Sequence, residues 1–79
     1  MRLDKFLKVS RIIKRRTVAN EVCDAKHVNV NGKPARASYD VKEGDVIEIT
    51  FGQKVTKYQV LNVTEYATKE SASSTYKEL

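Results

Sequence analysis

The chain has 79 residues, of which 32% are charged and 41% hydrophobic, and its formal net charge at pH 7 is +5. This length predicts one small domain with a modest core and no room for a separate catalytic domain. No apolar run approaches the length of a membrane span, and the N-terminus leads into no signal-peptide segment, so we expect a cytoplasmic protein without a membrane partner. The lone Cys23 cannot form an internal disulfide, which fits a reducing compartment.

The positive charge is concentrated at the N-terminal end of the chain. Seven of the fifteen Lys and Arg residues lie within the first sixteen positions, against a single acid, Asp4. These seven are Arg2, Lys5, Lys8, Arg11, Lys14, Arg15 and Arg16. Such segregation is typical of a surface that meets a polyanion, and a solvated charged face is the alternative.

Two helices are predicted at this basic end. The i, i+3, i+4 spacing of Leu3, Phe6 and Leu7 gives a short first helix an apolar stripe, opposite its basic side. A second helix is predicted from about residue 15 to residue 25. Its expected buried stripe consists of Val18, Ala19, Val22 and Cys23. Cys23 is then a small core residue rather than a nucleophile or a metal ligand.

After His27 the apolar period changes to two residues, which predicts strands. Residues 28–30 and 33–35 flank Asn31-Gly32, a pair that suits a type I′ hairpin turn because both central residues need positive φ. Pro34 requires an edge or unpaired position. Further strands are predicted at 46–51 and 55–63, with residues 36–42 as a loop. The core face of the third strand would carry Ile47, Ile49 and Phe51.

These elements predict an α+β fold, with two N-terminal helices packed on a small, mainly antiparallel sheet of about four short strands. The domain would span residues 1–63. Residues 64–79 are rich in Ser, Thr, Glu and Lys, which indicates a polar, mobile tail. We therefore expect deletion of residues 68–79 to leave the domain folded.

Several motifs then occur in a fixed order: Arg2-Leu3-Asp4-Lys5-Phe6-Leu7, Arg16 at a helix start, Val28-Asn29-Val30-Asn31-Gly32, and Gly44-Asp45 before Ile47 and Ile49. The ordered set resembles the RNA-binding domain named after small-subunit ribosomal protein S-four, over roughly residues 1–51. Residues 1–16 are most similar to its stand-alone members in bacterial ribosome quality control and to the fifteen-kilodalton heat-shock protein. Two positions depart from the family pattern. Arg15 replaces a helix-capping Ser or Thr, and Lys26 replaces a Gly.

The resemblance implies a non-catalytic RNA-binding protein without a cofactor, and we expect it to be monomeric. Its implied partners are the rRNA of a free large ribosomal subunit and the peptidyl-tRNA left there after a stalled ribosome splits. A further implied partner is the factor that supports alanine tailing of the stalled chain while the tRNA is held in the peptidyl site.

The expected RNA-binding residues are the seven N-terminal cations and two further cations that flank the predicted hairpin. They are Arg2, Lys5, Lys8, Arg11, Lys14, Arg15, Arg16, Lys33 and Arg36. The start of the second helix suits phosphate, because its unpaired N–H groups and dipole favour an anion and Arg16 can donate two hydrogen bonds. Asp4 either pairs structurally near its helix start or orients Arg2 or Arg16 toward RNA, and we favour orientation.

Other chemistries have less support in the sequence. His27 is the only histidine and has no Cys pair or carboxylate cluster nearby, so neither a catalytic nor a metal site is predicted. A DNA-binding protein with residues 14–25 as recognition helix is the alternative, but its charge lies at the helix start rather than along an exposed face. Aromatic content of 8% favours shape and phosphate recognition over stacking as the main mode.

Overall fold

The computed structural model describes residues 1–65, 67–68 and 70–79. Helix α1 spans Leu3–Val9 and helix α2 spans Arg16–Asp24. The strands are β1 (Val28–Val30), β2 (Lys33–Pro34), β3 (Val46–Phe51), β4 (Lys54–Val60) and β5 (Tyr76–Glu78). Every neighbouring pair is antiparallel, in the order β2-β1-β3-β4-β5. This architecture confirms the predicted α+β fold, with one strand more than expected.

One hydrophobic cluster joins the helices to the sheet. Helix α1 contributes Leu3, Phe6 and Leu7, whose spacing places all three on one side of the helix. Alternate residues of the strands also belong to the cluster: Val28, Val30, Ile47, Ile49 and Val60. In α2 the stripe is narrower than predicted, because Ala19 and Cys23 are buried whereas Val18 is 40% exposed.

The free thiol of Cys23 lies inside this cluster. Burial raises its pKa to about 12, and the nearby carboxylates of Asp4 and Asp24 act in the same direction. Since the reactive form of cysteine is the thiolate, Cys23 is an inert core residue, as the sequence predicted.

The first hairpin has the predicted turn chemistry. Asn31 and Gly32 have φ values of 53° and 81°, so both central residues adopt the positive φ that a type I′ turn requires. Strand β2 is an edge strand, where Pro34 removes no hydrogen bond from an inner ladder.

The second hairpin, between β3 and β4, extends past its neighbours in the sheet. Phe51 continues the alternation of Ile47 and Ile49, yet it is 51% exposed. The reason is that β1 pairs with β3 only as far as Ile49, so nothing from β1 covers the hairpin end. Strand β4 also ends at Val60, three residues before the predicted boundary.

The C-terminal segment differs most from expectation. Residues 64–79 were predicted to be a mobile tail, but Ala72–Ser74 form a 3-10 helix and β5 pairs with β4. Ala72 and Thr75 are buried, and the N–H groups of Leu61 and Asn62 donate to the carbonyl oxygen of Thr75. The expected mobile tail after residue 63 is therefore wrong, since the segment supplies the sheet's last strand, and we now expect deletion of residues 68–79 to destabilise the domain. Tyr66 and Lys69 of this segment lie outside the described residues.

Two non-glycine residues beside the helices have left-handed backbone. Arg11, just after α1, has a φ of 62°, and Lys26, just after α2, has a φ of 66°. The second value fits the Gly that the resemblance implies at this position, since Gly adopts left-handed backbone without steric penalty. In the described ranges no helix has both the length and the apolar character needed to cross a membrane.

Candidate nucleic-acid interface

The carboxylate of Asp4 joins the starts of the two helices. Its side chain is only 3% exposed. Oδ1 accepts hydrogen bonds from the Lys5 backbone N–H at 2.8 Å and from Arg2 Nε at 3.2 Å. Oδ2 accepts a hydrogen bond from Asn20 Nδ2 at 3.2 Å and lies 3.5 Å from Arg16 Nε. Both oxygens are therefore held on two sides, and α1 is tied to α2 through charge as well as apolar contact.

The surroundings of Asp4 keep it ionised at neutral pH. Burial alone would raise its pKa, but the hydrogen bonds from Asn20 and Arg2 oppose that effect. The Lys5 backbone N–H and the charge of Arg16 act in the same direction, and the pKa of Asp4 lies below its usual value. The site thus contains a permanent, fixed negative charge to which cationic side chains can be attached.

Arg2 and Arg16 are anchored at one end and exposed at the other. Each approaches Asp4 with Nε, and their side chains are 51% and 48% exposed, respectively. A guanidinium carries five N–H donors in a fixed plane, so an arginine held through Nε retains terminal amino groups for a second anion. Asp4 thereby presents Arg2, the N-cap residue of α1, and Arg16, the first residue of α2.

The side chains of the other cations in the N-terminal segment, which the structure describes in full, form no ion pair with Asp4. Lys5 Nζ is 3.6 Å from Glu65 Oε1, which partly neutralises it. The remaining four are exposed, and none has an acidic partner within 4.0 Å in the part of the chain that the structure describes: Lys8, Arg11, Lys14 and Arg15. They follow the chain along α1, through the linker and to the start of α2. We refer to these seven cations together with Asp4 as the basic surface.

The start of α2 is open to an anion. Arg15 occupies the N-cap position with extended backbone, and its side chain makes no capping hydrogen bond. The first turn of α2 contains no acidic residue. Its N–H groups and the positive end of the helix dipole thus lie within the basic surface. An adjoining pocket of about 390 Å³ is lined by Asp4, Arg16, Thr17, Asn20 and Glu21.

Lys33 and Arg36 are separated from the Asp4 network but border it through a loop. Lys33 lies on the edge strand β2, and Arg36 begins the loop at residues 36–40. This loop packs on the start of α1, where the N–H of Leu3 donates to the Tyr39 carbonyl at 2.8 Å. The predicted site residues therefore form two neighbouring regions rather than one cluster.

Sequence reasoning missed two residues of this surface. Asn20 lies four positions after Arg16, so the two share a face of α2, and this spacing is the signal that could have revealed it. Glu65, which pairs with Lys5, gave no local signal because its position is set by the fold. Among the described residues, no group of three or more His, Cys, Asp or Glu side chains is arranged to hold a metal ion.

Known proteins match this chain at the levels of domain and whole sequence. The S4 domain family model matches residues 1–47. The RQC P-site tRNA stabilizing factor of Halalkalibacterium halodurans is 57% identical over 76 residues, which are 96% of this chain and 86% of that protein. This chain belongs to that S4-domain family. The Bacillus subtilis member is 53% identical over 96% of this chain and 88% of its own length. A Helicobacter pylori member is 38% identical over 80% of this chain and 75% of its own.

Solved structures agree with the family assignment. The trimeric structure of Vibrio cholerae heat shock protein 15 superposes with a TM-score of 0.90 at 26% identity, covering all of this chain and 81% of that one. The solution structure of the hypothetical protein HP1423 gives a TM-score of 0.84 at 30% identity, covering all of this chain and 96% of that one. The resemblance found in residues 1–16 is thus confirmed in three dimensions.

Proposed function

We propose that this protein is a non-catalytic RNA-binding factor of ribosome quality control that acts in the cytoplasm. It binds the free large ribosomal subunit obstructed by peptidyl-tRNA and stabilises the tRNA in the peptidyl site during alanine tailing of the stalled chain. Membership of a family whose relatives are named RQC P-site tRNA stabilizing factor supports the process. The observation that carries the molecular part is the pair of half-exposed arginines fixed by the buried carboxylate of Asp4.

Prior fixation of the arginines favours phosphate binding. A free surface arginine loses side-chain entropy when it is immobilised, at a cost of about 0.5–1.5 kcal/mol in an interface. Arg2 and Arg16 are already restrained through Nε, so part of that ordering precedes the encounter with RNA. The uncapped start of α2 adds N–H donors beside Arg16.

The extent of the basic surface suits a contact with two RNA surfaces. Its cations lie on α1, the linker and the start of α2, so different strands can be bound from different elements. We assign the two strands to large-subunit rRNA and to the tRNA that carries the stalled chain. A bridging protein binds its second surface at high effective concentration, so vacant subunits should retain it less well. The factor that supports alanine tailing is the expected protein partner on that subunit, and our protein would act there as a monomer.

The structure disfavours the alternative of a DNA-recognition helix. Beyond Arg16, α2 has no basic residue, and its exposed positions include Glu21 and Asp24. Carboxylates on the face that would enter a groove would lie near the phosphates. Competition between structured RNA and duplex DNA should therefore favour RNA.

Replacement of Arg16 by Ala tests the proposed contact. We expect RNA affinity to fall by about 1–3 kcal/mol, which is the value of a charge-assisted bidentate contact. Lys77→Ala is the matched control, because it removes one exposed cation from β5, away from the basic surface. Arg16→Lys should be intermediate, since it keeps the charge but loses the planar fork. An equal loss in Arg16→Ala and Lys77→Ala would contradict a specific role for Arg16.

The cellular part of the proposal is tested by sucrose-gradient sedimentation of the tagged protein. We expect enrichment on free large subunits that hold peptidyl-tRNA and little on intact translating ribosomes. Release of the peptidyl-tRNA should reduce the bound fraction. Equal occupancy of vacant and obstructed subunits would leave only a general rRNA binder.

A further inference from the structure

A second pocket lies between the β1–β2 hairpin and the loop at residues 36–40. Its volume is about 450 Å³, within the range of roughly 300–1,000 Å³ that is usual for small-molecule sites. Its lining residues are Val30, Asn31, Lys33, Pro34, Ala35 and Tyr39. Val30 and Ala35 are buried and form an apolar floor, whereas Tyr39 is 37% exposed. The pocket thus combines an apolar base with an accessible aromatic ring.

The walls of this pocket are already held in place by Asp45. Its carboxylate accepts hydrogen bonds from Asn31 Nδ2 at 3.1 Å and from the Tyr39 hydroxyl at 3.5 Å. The Lys42 backbone N–H donates to the same carboxylate, at 3.0 Å. The side-chain oxygen of Asn31 is also occupied, because it accepts from the backbone N–H of Val46 at 3.0 Å. The hairpin and the loop are therefore fixed relative to each other.

The charges around the pocket favour an anionic ligand. Lys33 and Arg36 have no ion-pair partner among the residues that the structure describes. The two nearby aspartates are engaged: Asp45 as above, and Asp40 with the Met1 ammonium at 2.7 Å. A flat ring attached to a phosphate matches this chemistry, since the ring can stack on Tyr39 and the phosphate can approach Lys33.

The loop that carries Tyr39 is hydrogen-bonded to the start of α1. The Tyr39 carbonyl accepts the N–H of Leu3 at 2.8 Å, and the Ala37 carbonyl accepts the N–H of Asp4 at 3.2 Å. The backbone of Arg2 pairs with that of Asp40, the residue after Tyr39, so an RNA strand bound at Arg2 can extend to Tyr39. We propose that this pocket takes one unpaired base of the bound RNA, stacked on Tyr39, with Lys33 on the adjoining phosphate. This proposal rests on the RNA-binding function proposed above.

The expected recognition is tolerant of base identity. The side-chain amide of Asn31 is used by the Val46 N–H and by Asp45, so few groups remain to read a base edge. Stacking on Tyr39 would use the ring face that every base presents. The pocket should therefore distinguish an unpaired base from a paired one rather than one base from another.

The test compares an RNA hairpin, fully paired in its stem and closed by a non-nucleotide linker, with hairpins of equal length that carry one 2-aminopurine bulge at successive stem positions. We expect at least one bulged hairpin to bind the full chain about 5-fold or more tighter than the paired one, with quenching of its fluorescence. Tyr39→Ala should abolish this preference, whereas Tyr39→Phe should keep it because the ring remains. Lys33→Ala should weaken the bulged hairpin more than the paired one.

The outcomes separate this proposal from the proposed function. If all hairpins bind equally and Arg16→Ala weakens them alike, the pocket is not a base site, although the RNA-binding function stands. If no hairpin binds, both proposals fail. A bulge preference that survives in Tyr39→Ala, with thermal melting showing that the variant is folded, would also overturn the base site. Quenching in the unmodified protein provides a readout that depends on no variant.

Discussion

Asp4 shows how one acidic residue can improve a cationic surface. A carboxylate near RNA repels phosphate, yet this one is buried and surrounded by four donors. Its negative charge is therefore directed at Arg2 and Arg16 rather than at a ligand. Since Arg2 caps α1 and Arg16 begins α2, the same contact fixes the separation of the two arginines. Loss of Asp4 should thus affect both folding and RNA binding.

Asp4→Asn should lower the free energy of unfolding at pH 7 by about 1–3 kcal/mol, because hydrogen bonds to a charged group become hydrogen bonds to a neutral one. The folded-state pKa of Asp4 is below the ordinary value of 3.8. The stabilisation of the folded state by ionised Asp4 is therefore fully present above about pH 4 and is lost as pH falls through the folded-state pKa. Urea unfolding at pH 7 and at stepwise lower pH measures this, and the difference between the two proteins should shrink in acid. If the free energies of unfolding of the two proteins fall in parallel as pH is lowered, ionised Asp4 does not stabilise the fold.

Lys26 carries a local backbone strain that can be relieved. Its φ of 66° places a side chain in the left-handed region, where Gly has no steric penalty. Lys26→Gly should raise the free energy of unfolding by roughly 0.5–1 kcal/mol. Lys26→Ala is the control, since it removes the same charge but keeps a Cβ at positive φ. If Ala stabilises as much as Gly in thermal melting, charge rather than backbone conformation is responsible.

At the scale of elements, the C-terminal segment completes the sheet. Strand β5 covers the edge of β4, and the rings of Tyr58 and Tyr76 meet edge-to-face with centroids 5.3 Å apart. Thr75 is buried just before the strand, and its hydroxyl donates to the Ala72 carbonyl at 2.6 Å. The segment is polar in composition because its three-residue strand needs few apolar anchors.

Tyr76→Ala should therefore destabilise the fold by roughly 1–3 kcal/mol, through loss of the ring contact and of packing on the core. Leu79→Ala is the matched control: its side chain is 60% exposed, and we expect a change within about 0.5 kcal/mol. Chemical denaturation of both variants provides the comparison. Equal, small effects would show that β5 contributes little to stability.

The elements predicted from the sequence are those whose residue patterns lie within a short stretch of the chain. The spacing of Leu3, Phe6 and Leu7 predicts the first helix, and the pair Asn31-Gly32 predicts the hairpin turn. Each signal is contained within a few neighbouring residues. Strand β5 has only three residues, too short for a visible alternation, and its partner β4 lies well before it in the chain. For the candidate site, the cations could be read from composition and order. Their anchoring by Asn20 and the neutralisation by Glu65 could not, because tertiary packing selects those partners.

At the scale of the whole molecule, the loop at residues 36–40 connects the two regions that we assign to RNA. It packs on the start of α1, and it also contacts α2, because the N–H of Ala37 donates to Asp24 Oδ1 at 3.2 Å. The helices, the first hairpin and this loop therefore form one continuous unit. A change that displaces the loop should disturb the Asp4 network and the Tyr39 pocket together.

The reactivity of the buried Cys23 thiol can be used to measure transient unfolding of the protein. With its pKa raised to about 12 and its side chain inside the core, it should react with a disulfide reagent only in molecules that have transiently unfolded. Labelling in native buffer should thus be slower than in urea by several orders of magnitude, and saturating RNA should slow it further, because a ligand of the folded state reduces the open population. Fast labelling unaffected by RNA would show that the region around Cys23 opens locally. In a chain with one cysteine, the colour change of the reagent then measures stability and RNA occupancy without any attached probe.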